Sequence, residues 1–310
     1  MARRIALAGI GKIARDQHIP SIAASDDWEL AATVSRSGGI EGVETHATME
    51  ALLSARPDIE VVSLTMPPAS RYGYARAALE AGRHVMLEKP PGATLAEVQN
   101  LAAIAEERGL TLFASWHSRE AAMARTARDW LEGRDILSVE IEWLEDVRRW
   151  HPGQDWVWEP GGLGVFDPGI NALSLLTKVL PRPMHLTAAT LTYPENRQTP
   201  IAADLKFVGP GAATTRARFD WRHDGDQTWA IRIATDAGEA VLSDGGASLA
   251  VDGAPVAAGA DALSGEYPRL YGHLATLIDT SRSDVDLGPM IHVADAFALG
   301  RRETAAPFHF

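Results

Sequence analysis

The chain has 310 residues, 46% of them hydrophobic, and 29 Lys and Arg against 41 Asp and Glu give a formal charge of −12. That length exceeds one ordinary domain, so two are expected. The acidic balance argues against nucleic acid as the partner, since phosphate backbones need clustered cations. No cysteine occurs, which excludes disulfides and thiolate metal sites and suits a reducing cytoplasm.

In chain order, Arg3 and Arg4 precede the apolar run Ile5–Ile10, faintly like an export signal, but Gly9, Gly11 and Lys12 break the run and no cleavage site follows. No stretch approaches the ~18 apolar residues of a membrane span. A soluble, cytoplasmic protein is the expectation. Short apolar runs then alternate with helical patterns over the first domain, residues 1–118. Strands are expected at Arg4–Ala8, Glu29–Ser35, Glu60–Thr65, His84–Glu88 and Thr111–Ser115, and helices at Ile13–Ala24, Thr48–Ser54, Tyr72–Ala81 and Thr94–Arg108. Such runs fit strands buried on both faces, and repeated βα units imply a doubly wound parallel sheet.

From residue 119 the rhythm changes. A helix over Arg119–Glu132, a strand over Leu137–Asp146, a Trp-rich loop and a helix over Phe166–Leu180 come first. Strands are then expected at Leu186–Tyr193, Ala202–Phe207, Thr214–Trp221, Thr228–Thr235, Glu239–Ser243 and Ser248–Val251, with hairpin signals at Asp224-Gly225, Gly245-Gly246 and Asp252-Gly253. Helices over Tyr267–Thr280 and Ile291–Glu303 close the chain and are candidates for packing back on the first domain. Residues 119–310 thus read as an α+β domain with a broad, mainly antiparallel sheet.

Gly9-Ile10-Gly11-Lys12-Ile13-Ala14 is a GxGxxA sequence where the first strand meets the first helix. The first glycine permits a tight turn, the second lets a pyrophosphate approach the backbone, and Ala14 lets helix and strand pack closely. Together with the βα rhythm this is a Rossmann dinucleotide-binding arrangement. The second strand ends Val34-Ser35-Arg36-Ser37, without the carboxylate that would repel a 2′-phosphate. Ser35 and Arg36 suit that phosphate, so NADP+ is expected to bind, with NAD+ also used.

Glu88-Lys89-Pro90-Pro91 follows the fourth expected strand, on the edge where open α/β sheets bind ligands. Lys89 there can reach between nicotinamide and substrate, and His117, past the fifth strand, lies on the same edge. Asp167 and Asn171 stand four apart at a helix start, on one face. They can hold sugar hydroxyls; equally, Asp167 can be an N-cap before Pro168. Trp143, Trp150, Trp156 and Trp158, interleaved with Glu145 and His151, have the composition of a sugar pocket, although most are expected in the core. No metal is expected, because no compact ligand cluster occurs.

Gly9–Ala14, the Glu88-Lys89-Pro90 tripeptide and the Asp167…Asn171 pair resemble the glucose–fructose oxidoreductase / inositol dehydrogenase (Gfo/Idh/MocA) family. The stretches 9–18, 84–95, 145–154 and 158–171 are similar to its branch of bacterial L-arabinose and D-galactose 1-dehydrogenases. The resemblance implies oxidation of an aldopyranose C1 hydroxyl to an aldonolactone by a homo-oligomer. Lys89 and Asp167 would handle the proton with Asn171 as orienting donor, and which of the two is the base stays open. Gly9, Gly11, Lys12, Ile13, Ser35, Arg36, Glu88 and Lys89 would hold the cofactor. His117, Glu145, Trp150 and His151, with Lys89, Asp167 and Asn171, would hold the sugar. The wider family commonly has His where Asn171 stands, which puts a proton relay through that position in doubt. A dehydrogenase acting on another sugar or on an inositol, or a silent NADP-binding sensor, are the alternatives.

Overall fold

A computed structural model describes residues 2–36, 38–209, 214–258 and 265–310; Ser37 lies outside them. The chain divides into two compact units, residues 1–117 with 264–286, and residues 118–263 with 287–310.

In the first unit, β1 (Arg3–Ala8), β2 (Trp28–Val34), β3 (Glu44–His46), β4 (Val61–Leu64), β5 (His84–Glu88) and β6 (Leu112–Ser115) pair in parallel in the order β3-β2-β1-β4-β5-β6. The short β3, polar and largely exposed, carries no apolar signal in the sequence. Helices α1 (Ile19–Ala23), α2 (Met49–Ala55), α3 (Arg71–Glu80) and α4 (Leu95–Glu107) connect the strands. Thr48 and Thr94 cap α2 and α4 by accepting from Ala51 N and Glu97 N, each at 3.2 Å. The helix expected over Ile13–Ala24 is π-helical at Ala14–His18 before α1. Pro20 has no N–H to give the fourth residue back, and a wider turn absorbs the missing bond.

The strands other than β3 are buried on both faces. Ala6, Ala8, Val62, Leu64, Val85 and Leu87 meet Leu52, Leu79 and Leu101 on one face. Ile5, Leu7, Val61, Met86 and Phe113 meet Ile22 on the other, together with Tyr267, Leu270, Tyr271 and Leu274 from a distant helix.

The second unit contains α5 (Ala124–Leu131), β7 (Ile136–Leu144), α6 (Val147–Trp150), α7 (Phe166–Val179), β8 (His185–Pro194), β9 (Ala202–Val208), β10 (Thr214–Asp220), β11 (Thr228–Thr235), β12 (Gly238–Ser243), β13 (Ser248–Val251) and β14 (Ala254–Pro255). The helix that follows, α8 (Glu266–Asp279), belongs to the first unit and is the one covering its second face. Then α9 (Gly288–Leu299) and β15 (Gly300–Ala305) return to the second unit. Its sheet runs β14-β13-β12-β11-β7-β10-β9-β8-β15 among the described residues. Pairing is mainly antiparallel; β10 with β7 and β15 with β8 are the parallel pairs.

Two helix expectations are corrected. Residues 117–120 form a 3₁₀ turn and α5 starts only at Ala124. The last helix ends at Leu299, and residues 300–305 are a strand rather than its continuation. Gly300 is a poor helix residue, and a Cβ there would lie 2.9 Å from Leu191 side-chain atoms. Pairing with β8 overrides the helix preference of Arg301, Arg302 and Glu303.

Period-two alternation sets this sheet's register. Val139, Ile141 and Trp143 of β7 and Thr215, Ala217 and Phe219 of β10 are buried, while Glu140, Glu142, Arg216 and Arg218 are exposed. Glu140 is partnered by Arg216 and Arg232, and Glu142 by Arg218. Opposite charges therefore face each other across strands, worth about 0.2–1 kcal/mol a pair. On the buried face, α7 packs with α5 and α9. Gly169 is why α7 can approach β10: an added Cβ would lie 2.6 Å from the Phe219 ring. Among the described residues no helix is long and apolar enough to cross a membrane.

Gly169→Ala is expected to lower unfolding free energy by about 1–3 kcal/mol, because overpacking outweighs alanine's higher helix propensity. Urea denaturation checks this, and unchanged or raised stability would contradict the tight contact.

Candidate active site

The order of the first sheet reverses between β1 and β4, and ligands bind open α/β sheets beyond the strand ends at such a point. Gly9 follows β1 with φ +92°, and a Cβ there would lie 2.7 Å from Met66 N. The turn therefore accepts only glycine. The Thr65 hydroxyl donates to the Gly9 carbonyl and ties the two strand ends together. A Cβ on Gly11 would meet nothing within 4 Å, which is the room a pyrophosphate needs against backbone. Ala14 is fully buried, Ile13 is 37% exposed, and Lys12 is exposed and paired with Asp16. Ser35 N donates to His46 O at 3.0 Å just past β2, with exposed Arg36 next to it. These residues fit a dinucleotide.

Lys89 follows β5, and the Lys89–Pro90 peptide is cis. Its backbone is held by Arg71, a buried guanidinium that donates to the carbonyls of Glu88, Pro90 and Met66. Sequence reasoning missed Arg71, which reads as one more charged residue at a helix start.

Glu88, expected at the cofactor, is the buried centre of a polar network. Its Oε1 accepts the Tyr267 hydroxyl and lies 3.5 Å from His18 Nε2, while His18 Nδ1 is 2.8 Å from the Tyr271 hydroxyl. Burial alone would raise the Glu88 pKa; His18, His117 and Lys89 outweigh it and hold the carboxyl at about 2. Burial, then the Glu88 charge, push Tyr267 well up, and burial does the same to Tyr271, so both phenols stay neutral donors. His117 stacks on Tyr267 at 5.6 Å and donates through Nδ1 to Glu266 Oε2 at 2.7 Å. Burial pulls this imidazole down, but the Glu266 charge and hydrogen bond, then Glu88, raise it above its ordinary value. His18, Glu266, Tyr267 and Tyr271 carry no local motif that names this role, since their partners lie 149 to 253 positions away for the Glu266 and Tyr271 bonds.

In the second unit α7 begins at Phe166, and its N-cap is Val165, with no side chain capping it. The reading of Asp167 as an N-cap is therefore corrected: Gly164, at φ +56°, turns the chain early enough to start the helix before Asp167. Asp167 is buried, with Oδ2 3.3 Å from His151 Nε2, and Asn171 follows one turn later, half-buried. His151 leans on Trp221 at 5.3 Å. Trp143 and Trp158 are core residues, whereas Trp150 is 37% exposed beside Trp229 at 5.4 Å. Glu145 is buried, its Oε1 accepting from Trp221 Nε1 at 3.0 Å and its Oε2 from Trp229 Nε1 at 2.8 Å. It locks two indoles that sequence reasoning did not single out.

The depressed Glu88 pKa makes a pH prediction. A carboxyl lowered in the folded state stabilises above its unfolded pKa, and that stability is lost as pH falls toward the folded value. From 4.5 to about 2 the contribution is about 3 kcal/mol. The stability gap between the protein and its Glu88→Gln variant should thus narrow from pH 5 downward in urea titrations. A gap independent of pH between 5 and 3 would contradict an ionised Glu88.

The model of the Gfo/Idh/MocA oxidoreductase family, with its NAD-binding Rossmann fold, matches residues 3–115. Galactose 1-dehydrogenase of Pseudomonas fluorescens is 41% identical over 318 residues, covering 99% of this chain and 98% of that protein. The crystal structure of a D-galactose-1-dehydrogenase protein from Rhizobium etli superposes with a TM-score of 0.95 at 52% identity, over 100% of this chain and 99% of that one. A 3-ketoreductase from Actinomadura kijaniata shares the fold, with a TM-score of 0.82 at 18% identity over 98% of this chain and all of that one. The chain belongs to the Gfo/Idh/MocA family of oxidoreductases, with a nicotinamide-dinucleotide-binding Rossmann unit.

Proposed function

We propose that the protein is an aldose 1-dehydrogenase, oxidising the C1 hydroxyl of D-galactose or L-arabinose to the aldonolactone with NADP+ or NAD+ as acceptor. The observation that carries this reading is the end-to-end likeness to galactose 1-dehydrogenase, in a chain that has Lys89, Asp167 and Asn171. The bound nicotinamide supplies the acceptor for the hydride that leaves C1. The residues of the chain bind and orient the sugar and take the proton from its C1 oxygen. Lys89, on a backbone clamped by Arg71, and Asp167, buried against His151, are the two candidates for that proton. Asn171, one helical turn from Asp167, holds the hydroxyl's orientation. His117, Glu145, Trp150 and His151 recognise the remaining hydroxyls and the apolar sugar face. Gly9, Gly11, Lys12 and Ile13 receive the pyrophosphate, with Glu88 acting through Lys89 and His117. Ser35 and Arg36 at the end of β2 support acceptance of a 2′-phosphate.

Residence in the cytoplasm and assembly as a dimer or larger homo-oligomer belong to the same reading. The absence of cysteine supports the first, and the exposed sheet face with both signs of charge supports the second.

A panel of aldoses with NADP+, followed at the reduced-nicotinamide band, tests the substrate. D-Galactose and L-arabinose, alike around the ring and different at C5, are expected to be oxidised, and sugars epimeric at C4 to be poorer. Preference for D-glucose, or turnover of myo-inositol alone, would overturn the assignment. Lys89→Ala and Asp167→Ala should each lower kcat by about a hundredfold or more with NADP+ affinity nearly intact, and Asn171→Ala should cost less. A stable Asp167→Ala protein with normal kcat would remove Asp167 from the chemistry. Arg36→Ala should lower kcat/KM for NADP+ by about 10- to 100-fold and change NAD+ much less. Equal losses with both cofactors would show that Arg36 does not read the 2′-phosphate.

A further inference from the structure

Glu266 opens α8, far in sequence from every residue of the reaction as proposed, yet its carboxylate accepts the Nδ1–H of His117 at 2.7 Å. The two side chains are 17% and 30% exposed, so the pair is reachable by solvent but largely screened from it. The same ring lies flat on Tyr267, the next residue of α8, whose hydroxyl is committed to Glu88. One helix end thus grips the imidazole twice, by its edge through Glu266 and by its face through Tyr267. An imidazolium donates from both nitrogens, whereas a neutral ring that keeps Nδ1–H on Glu266 presents Nε2 as an acceptor. The charge state of this one ring therefore decides which kind of oxygen or proton it can meet.

We propose that Glu266 is a positioning residue for sugar binding: it fixes the His117 ring through Nδ1 and keeps it cationic, so that Nε2 acts on the sugar as an N–H donor. The inference rests on the aldose reading above and deepens it. The charged and titratable groups facing the ring include Glu266 and Tyr267 from α8, and Glu88 and Lys89 from the end of β5. Two of them are carboxylates and one is a cation, so the local field favours the imidazolium. Replacing the Glu266 carboxylate by an amide keeps an acceptor oxygen for Nδ1–H and removes the charge. Replacing it by a methyl removes both. The two variants separate orientation from charge.

The experiment follows the His117 ring by NMR titration in the sugar-free protein and the KM for D-galactose against pH, in the parent protein and in Glu266→Gln and Glu266→Ala. Glu266→Gln is expected to lower the pH at which His117 titrates by about one unit or more, the effect of losing an opposite charge within hydrogen-bond reach. The rise of KM with pH should move down by the same interval, reaching about tenfold once the donor is lost, with kcat at saturating sugar and NADP+ affinity within about twofold. Glu266→Ala should raise KM at every pH, because orientation is lost as well. An unchanged His117 titration in Glu266→Gln would overturn the proposal. So would a shifted titration with an unmoved KM profile, which would make the pair a structural contact only. No turnover of any aldose by the parent protein, beside a shifted titration, would instead overturn the aldose reading and leave the His117–Glu266 pair standing.

Discussion

A carboxylate held ionised at the buried end of β5, an interior strand, is the constraint around which the first unit is arranged. Glu88 has almost no contact with water, and an isolated charge there would be neutralised rather than tolerated. It stays charged because a phenol, two imidazoles and a lysine surround it. Those groups come from four separate segments, the first helical segment, the end of β5, the end of β6, and α8. Satisfying one carboxylate therefore draws together the segments that border the ligand edge of the sheet. It also explains why the second face of the sheet is covered by a helix with two tyrosines: Tyr267 and Tyr271 bury apolar rings against the strands while their hydroxyls reach the network.

The second unit uses the same device with different donors. Glu145, at the end of β7, is buried with both oxygens on indole N–H groups, from Trp221 after β10 and Trp229 in β11. Because β7 lies between those two strands, one carboxylate ties together three neighbouring strand segments. The indoles it locks then support Trp150 and His151, and His151 is the neighbour of Asp167. Buried acids and buried aromatics are thus partners in both units. A satisfied polar network of this kind specifies one side-chain arrangement where apolar packing alone allows several.

Backbone economy positions the remaining groups. Gly9 permits the close pass of β1 by Met66, Gly169 brings α7 against Phe219, and Arg71 fastens the turn that carries Lys89. Each acts on backbone placement rather than on a ligand. A substitution at any of them would misplace groups that it never touches.

The sequence by itself determined five of the six parallel strands of the first unit, because a strand buried on both faces must be apolar at successive positions. It also determined the ligand edge: once strands and helices alternate, Gly9, Lys89 and His117 follow strand ends by position alone. The alternation of the second sheet was equally legible, since one face meets core and the other water. Tertiary structure decided what local pattern cannot carry. The run at 300–305 is a strand because β8 offers it hydrogen bonds, and its own residues favour a helix. The apolar stripe of α8 announces burial without saying against which sheet. Glu88, Glu145 and Glu266 look alike in sequence, and only their distant partners, one tyrosine with two histidines, two indoles, one imidazole, make them different charges with different tasks. Burial and pairing are properties of neighbours in space, and no spacing along the chain encodes a neighbour that arrives from 149 residues away.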